Sequence, residues 1–225
     1  MGTKSMRKIR IWDIPTRLFH WSLVILLSVS FYTGLSGGFV EMDYHMLSGY
    51  CILSLVLFRI LWGLFGSYYA RFTTFIKGPT RIIQHAASLL KKEPPYPGHN
   101  PIGALSIIAI LLSLLLQAST GLFANDDIML EGPLTHLVSY DTSRMLTGIH
   151  KTNIWVIASL AGLHIVAILF YQFYKKDRLI VAMFSGKKML NDVEQHQVSL
   201  VRELLLGSMT LTLCASAVYA IVNYL

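Results

Sequence analysis

The run Thr147-Gly148-Ile149-His150-Lys151-Thr152-Asn153-Ile154-Trp155-Val156-Ile157-Ala158-Ser159-Leu160-Ala161-Gly162-Leu163-His164-Ile165-Val166-Ala167-Ile168-Leu169-Phe170 decides the architecture of this chain. From Thr152 to Phe170 it carries no Asp, Glu, Lys or Arg. A helix of that kind suits the roughly 30 Å hydrocarbon core of a bilayer. His150 and His164 are 14 residues apart. At about 100° per residue, that spacing returns to within about 40° of the starting direction, so both imidazoles leave one helix face. At about 1.5 Å per residue they stand about 21 Å apart along the axis. Two histidines on one face near opposite sides of a membrane are expensive unless something binds them. A pair of stacked metal cofactors is the obvious candidate.

The same apolar character recurs along the chain. Of 225 residues, 54% are hydrophobic and 14% charged, too little charge for a water-soluble core of this size. The reading is all-α: an integral membrane bundle of five spans, at about 16–36, 44–65, 101–124, 144–174 and 201–225. Pro15 and Gly37-Gly38 bracket the first span, and Asn100-Pro101 open the third. Residues 1–178 are read as a four-helix core domain. Residues 179–225 are read as a linker plus an extra carboxyl-terminal span. The runs 82–90 and 179–184 are expected to lie along the interface. Cys51 and Cys214, both in apolar segments, are expected to be small core residues. No cleaved signal peptide is recognisable, and Met1-Gly2-Thr3-Lys4-Ser5-Met6 resembles a vector-derived extension before a start at Met6.

Charge gives the expected orientation. Lys4, Arg7, Lys8 and Arg10 precede the first span. Arg71, Lys77, Arg81, Lys91 and Lys92 lie between the second and third. Lys175, Lys176, Arg178, Lys187, Lys188 and Arg202 follow the fourth. The alternate loops carry Glu41 and Asp43, then Asp126, Asp127, Glu131 and Asp141 with only Arg144. This bias predicts a cytoplasmic amino terminus and, with five spans, a carboxyl terminus on the opposite, periplasmic-type side. The net charge of +7 is thereby accounted for by topology, and no nucleic-acid partner is expected.

Partners for the two histidines follow from depth. His20 falls in the first turns of span one, on the cytoplasmic side with His164. His45 opens span two, on the outer side with His150. Two bis-histidine sites stacked across a membrane suit b-type haem, since neutral imidazole is a good axial ligand for haem iron. Zinc fits less well, with two imidazoles per site and no nearby carboxylate or thiolate. A di-iron carboxylate site lacks its acids. Arg59 is also 14 residues from His45, which puts it on that face at the depth of the cytoplasmic site. A haem propionate would satisfy it. Arg17 and Lys151 are further propionate candidates, with snorkelling to lipid headgroups as the plain alternative. Gly49, Gly148 and Gly162 fit close approach of a porphyrin or of a neighbouring helix. His85, His136 and His196 read as loop residues. His99, in Gly98-His99-Asn100-Pro101, reads as loop and capping geometry with a smaller chance of a place near a haem edge.

The segments Trp12-Asp13-Ile14-Pro15-Thr16-Arg17-Leu18-Phe19-His20-Trp21, Arg59-Ile60-Leu61-Trp62-Gly63-Leu64-Phe65-Gly66, Gly98-His99-Asn100-Pro101 and Thr147-Gly148-Ile149-His150, with His45 and His164, carry a resemblance. The chain is similar to the bacterial di-haem cytochrome b family, which groups cytochrome b561 with the b-type subunits of nickel–iron hydrogenases. The similarity covers roughly residues 9–176. It implies two haem b groups on His20, His45, His150 and His164. It also implies electron exchange with membrane quinone at one end and with a redox protein, a hydrogenase or a c-type cytochrome, at the other. The fifth span departs from the four-helix pattern and is a candidate for docking a partner. A homo-oligomer is compatible with this reading. The acidic outer loops would steer a basic partner. For quinone, His99 with Asn100 or Lys151 are the candidates. Two other classes compete. One is a stand-alone oxidoreductase whose outer haem meets a small molecule such as superoxide. The other is a haem-free transporter or proton relay, which would want polar groups between the histidine levels, where Asn153 and Ser159 are the notable ones on span four.

Overall fold

The computed structural model describes residues 7–91, 95–128, 130–190 and 199–225. His196, Lys92, Glu93 and residues 1–6 lie outside the described residues. The chain runs through β1 (Arg7–Arg10), α1 (Ile14–Ser36), α2 (Phe39–Phe65), α3 (Phe72–Phe75), α4 (Pro79–Ala87), α5 (Pro101–Gly121), α6 (Tyr140–Phe173), α7 (Leu179–Ser185), β2 (Lys187–Leu190) and α8 (Leu200–Tyr224). Helices α1, α2, α5, α6 and α8 are long and apolar enough to cross a membrane, in agreement with the five expected spans.

Local chemistry sets the ends. Asp13 is extended and its carboxylate accepts from Thr16 N at 2.6 Å, so α1 starts at Ile14, slightly before the expected 16. Gly37 closes it in the left-handed conformation, φ 68°. Gly38 then caps α2 directly, and Glu41 sits favourably in its first turn. For that reason α2 begins at Phe39 rather than Tyr44. The Asn100 side chain caps α5 by accepting from Gly103 N at 2.7 Å. Ser139 caps α6, which starts earlier than the expected 144. The run around 82–90 is helical only as far as Ala87, where α4 ends.

α2 is the hub of the bundle. It packs against α1 on one side, α5 on another and α8 on a third. Phe19, Leu23, Ile52, Val56, Phe58, Trp62, Leu111 and Leu114 make the buried seam between these helices, closed from the α8 side by Cys214. α6 lies along α5 and does not pack closely along α1 or α2. Its other flank is apolar and open: Trp155 is 66% exposed and Phe173 73%. In lipid such a surface is satisfied by acyl chains. Cys51 departs from the expectation. It faces outward on α2, while Cys214 is buried.

The two ends of the bundle differ in charge. The end holding β1, α3, α4, α7 and β2 gathers Arg7, Lys8, Arg10, Arg71, Lys77, Arg81, Lys91, Lys175, Lys176, Arg178, Lys187 and Lys188; it is the basic end. Glu41, Asp43, Asp126, Asp127, Glu131 and Asp141 mark the acidic end. A two-stranded antiparallel ribbon closes the basic end, pairing Arg7 with Leu190 and Arg10 with Lys187. It joins the segment after residue 178 to the first strand. Glu203 at the start of α8 adds to this tie by accepting from Ile14 N at 2.8 Å and from the Arg10 guanidinium. No strand was expected there, because four residues of basic sequence carry too little period-2 signal.

Asp13 holds this end together. Besides capping α1, it accepts from Trp62 Nε1 at 3.0 Å and from Ser67 Oγ, so one buried carboxylate joins the start of α1 to the end of α2. Asp13→Ala removes the cap and leaves the Trp62 N–H unpaired. The two losses together come to roughly 2–4 kcal/mol. A fall in the thermal midpoint of the detergent-solubilised protein is the expected outcome, with a smaller fall for Asp13→Asn.

Candidate functional site

At the acidic end His45 on α2 and His150 on α6 face each other across the flank where α6 stands off from α1 and α2. Their ring centroids are 6.0 Å apart and the rings nearly perpendicular, at 87°. His45 Nδ1 donates to the Ser30 carbonyl at 2.9 Å, and His150 Nδ1 donates to the Gln117 carbonyl at 2.9 Å. A carbonyl oxygen only accepts, so each Nδ1 carries the proton and each Nε2 keeps its lone pair. This is how metal-binding histidines are fixed in tautomer and direction. Each ring also lies against a glycine. A Cβ on Gly34 would come within 2.7 Å of His45 Cε1, and one on Gly121 within 2.9 Å of His150 Cε1. Between the helices opens a cleft lined by His45, Gly49, Phe31, Ile52, Leu114 and His150.

A polar ladder holds α6 against α5 beside this cleft. Gln117 Nε2 donates to the His150 carbonyl at 3.1 Å, and Asn153 Nδ2 donates to Gln117 Oε1 at 2.9 Å. Ser113 Oγ donates to Asn153 Oδ1 at 2.9 Å. Asn153, one of the two notable polar groups of span four in the sequence, is therefore engaged on both sides of its amide. Gln117→Leu breaks this ladder next to a ligand and leaves Asn153 Nδ2 with the Ser113 carbonyl alone. A loss of about 1–3 kcal/mol is expected, read as a lower unfolding midpoint.

The basic end is built differently. His20 on α1 and His164 on α6 are within electrostatic reach of each other. His20 Nδ1 is buried with no hydrogen-bond partner, and its ring meets Trp21 edge-on at 4.9 Å. Arg59 on α2 is 2% exposed, and neither terminal guanidinium nitrogen has a partner. Its guanidinium lies 5.1 Å from the Phe72 ring and 6.0 Å from that of Phe75. His99 is wedged between Trp12, at 4.5 Å, and Phe75, at 4.7 Å, with Nδ1 unpaired. Burial pushes the His99 imidazole down to about 3, and the charge of Arg59 adds most to that, followed by His164, Lys188 and His20. His99 is thus neutral at any ordinary pH. Nearby, buried Lys188 donates to Asp177 at 2.8 Å and to the Tyr96 carbonyl at 3.0 Å. Burial pulls its ammonium below the ordinary range, although Asp177 opposes the shift.

The expected residues therefore separate. The His45 and His150 rings come together, and His20 lies within electrostatic reach of His164. Arg59 lies buried at the level of the second pair. Arg17 donates through Nε to the Met183 carbonyl at 3.2 Å and through Nη2 to the Phe184 carbonyl, closing the end of α7. Lys151 is exposed beside His150. His85, expected as a loop residue, is buried on α4 and bonded through Nε2 to the Tyr171 hydroxyl at 3.0 Å. His136 donates to the terminal carbonyl of Leu225 at 2.8 Å, tying α8 to the acidic-end loop. An added Cβ at Gly49, Gly148 or Gly162 would meet nothing within 4 Å. The glycines that press on the imidazoles, Gly34 and Gly121, were not visible as such from spacing, and neither were Ser30 and Gln117.

The geometry can be tested against haem. Two imidazole–metal bonds of about 2 Å each, plus the ring radius at both ends, come to roughly 6 Å between centroids. That matches the acidic-end pair. The orphaned guanidinium of Arg59 and the orphaned nitrogens of His20 and His99 lack what an anionic cofactor would bring. The donors present, two imidazoles per site with no acid or thiolate, fit haem iron. Among the described residues, no group of three or more His, Cys, Asp or Glu could hold a metal ion by itself.

Residues 11–186 match the model of the prokaryotic cytochrome b561 family, and the chain belongs to that family. It is also 22% identical to the probable Ni/Fe-hydrogenase 1 B-type cytochrome subunit of Escherichia coli strain K12, with 78% of this chain and 88% of that protein covered. The counterpart from Escherichia coli O157:H7 matches with the same figures. No solved structure matches the chain. The protein is a multi-pass bacterial membrane cytochrome of b type, with haem b as its cofactor and electron transfer as its role.

Proposed function

We propose that this chain conducts single electrons across the membrane through two haem b groups, one held by His45 and His150, the other by His20 and His164. The observation that carries the reading is the acidic-end pair: two imidazoles 6.0 Å apart, each with Nδ1–H spent on a backbone carbonyl and Nε2 left for iron. Haem held by these four histidines would supply a one-electron iron couple. The chain's own residues do the rest. Ser30 and Gln117 orient the ligands, α6 sets both ligands on one rigid rail about 21 Å apart, and Arg59 offers a buried positive charge at the second level.

The Lys/Arg bias supports a cytoplasmic basic end, with the amino terminus there and Leu225 on the periplasmic side. One end exchanges electrons with membrane quinone. The other end, with Asp126, Asp127 and Glu131 around it, meets a redox protein. The similarity to a hydrogenase b-type subunit favours a hydrogenase-like partner over a c-type cytochrome. For the quinone, Lys151 is exposed beside His150, whereas His99 is enclosed and Asn100 is committed to its cap.

Liposomes loaded with ferricyanide test conduction directly. External dithionite should reduce the trapped ferricyanide only when the haem-loaded protein is present, and His150→Ala should abolish it. Equal rates with and without the protein would sink the reading.

A further inference from the structure

We propose that His99 is a positioning residue for the haem at the basic end: its ring N–H donates to a propionate carboxylate of that haem, alongside Arg59. The proposal rests on the two-haem reading above. Arg59 stays charged in any protein environment. Buried with both terminal nitrogens unpaired, it demands an anion. The protein's own acid within electrostatic reach is Asp13, and Asp13 is already shared among Thr16 N, Trp62 Nε1 and Ser67 Oγ. The anion therefore comes from elsewhere.

His99 shares that surrounding. Its ring packs on Phe75, on which Arg59 also lies. It is enclosed, neutral and has an unsatisfied Nδ1. One charged donor and one neutral donor, both buried and unpaired, match an acceptor with a negative charge and two oxygens, which is a carboxylate. A quinone carbonyl would satisfy His99 but leave the charge of Arg59 uncompensated. Both residues interact electrostatically with the histidine level of the bundle, Arg59 through His99, and His99 with His164 and His20. The carboxylate accordingly belongs to the group those imidazoles hold. A donor on that carboxylate weakens the negative field at the iron, so removing it favours the ferric state.

Potentiometric titration of the purified, haem-loaded protein, followed in the visible spectrum, tests this. His99→Phe keeps a ring between Trp12 and Phe75 but removes the donor; His99→Gln keeps a donor but not the ring. With His99→Phe, one of the two couples should move to a lower potential by about tenfold in the reduced-to-oxidised ratio, or about 59 mV for one electron. The other couple should stay, and His99→Gln should lie nearer the unaltered protein. Arg59→Leu should move the same couple. Loss of one haem from His99→Phe but not from His99→Gln would carry the same meaning. Unmoved couples in His99→Phe would overturn the proposal, as would equal shifts or equal haem loss in both variants. Absence of haem from the unaltered protein would instead fell the two-haem reading itself.

Discussion

Replacing His150 by alanine is expected to leave one haem of the two proposed for the unaltered chain, and His45→Ala should do the same to the same haem. Each variant removes one of the two imidazoles proposed to hold the acidic-end haem. The double variant should lose no more haem than either single one, because the second ligand has nothing left to bind with. His20→Ala and His164→Ala should form the matching set at the basic end. Spectra of the reduced proteins distinguish the sets. Loss of both haems from a single substitution would contradict independent sites, and retention of both in His45→Ala and His150→Ala would contradict the pairing.

The second large effect falls on two glycines that touch no iron. Gly34→Ala places a methyl group within 2.7 Å of His45 Cε1 and 2.8 Å of its Nδ1. The ring cannot give way cheaply, since its Nδ1–H is held by the Ser30 carbonyl. Gly121→Ala does the same to His150, whose Nδ1–H is held by the Gln117 carbonyl. Turning a ligand away from its fixed direction typically weakens metal binding about 10–100-fold. Haem dissociation, followed by transfer to apomyoglobin, should therefore accelerate at one site in either variant. Gly148→Ala, with open space around the added methyl, is the control and should change little. Unchanged dissociation in Gly34→Ala and Gly121→Ala would mean that these contacts do not steer the imidazoles.

The sequence carries some of this directly and hides the rest for physical reasons. Five spans are legible because each is a long apolar run with Gly, Pro or Asn at its ends. The proposed ligand pairs are suggested by sequence because a helix converts 14 residues into depth and direction, and the expected topology then sets His20 with His164 and His45 with His150. Contacts between residues remote in sequence are not periodic, so nothing in the chain announces that Ser30 and Gln117 present carbonyls to the imidazoles. Gly34 and Gly121 look like any glycine near a helix end. Arg17 is a case in point: its place one turn before His20 is visible in the sequence, whereas its hydrogen bonds to the Met183 and Phe184 carbonyls at the end of α7 are not. The ribbon of β1 and β2 escapes notice because pairing between strands separated by residues 11–186 leaves no local trace.

The central claim is two haems b, each held between two histidines of one chain. The pyridine haemochrome of the purified protein, set against protein measured by amino-acid analysis, tests it most directly. The account predicts b-type bands and two haems per chain. One haem per chain, or none, would contradict it.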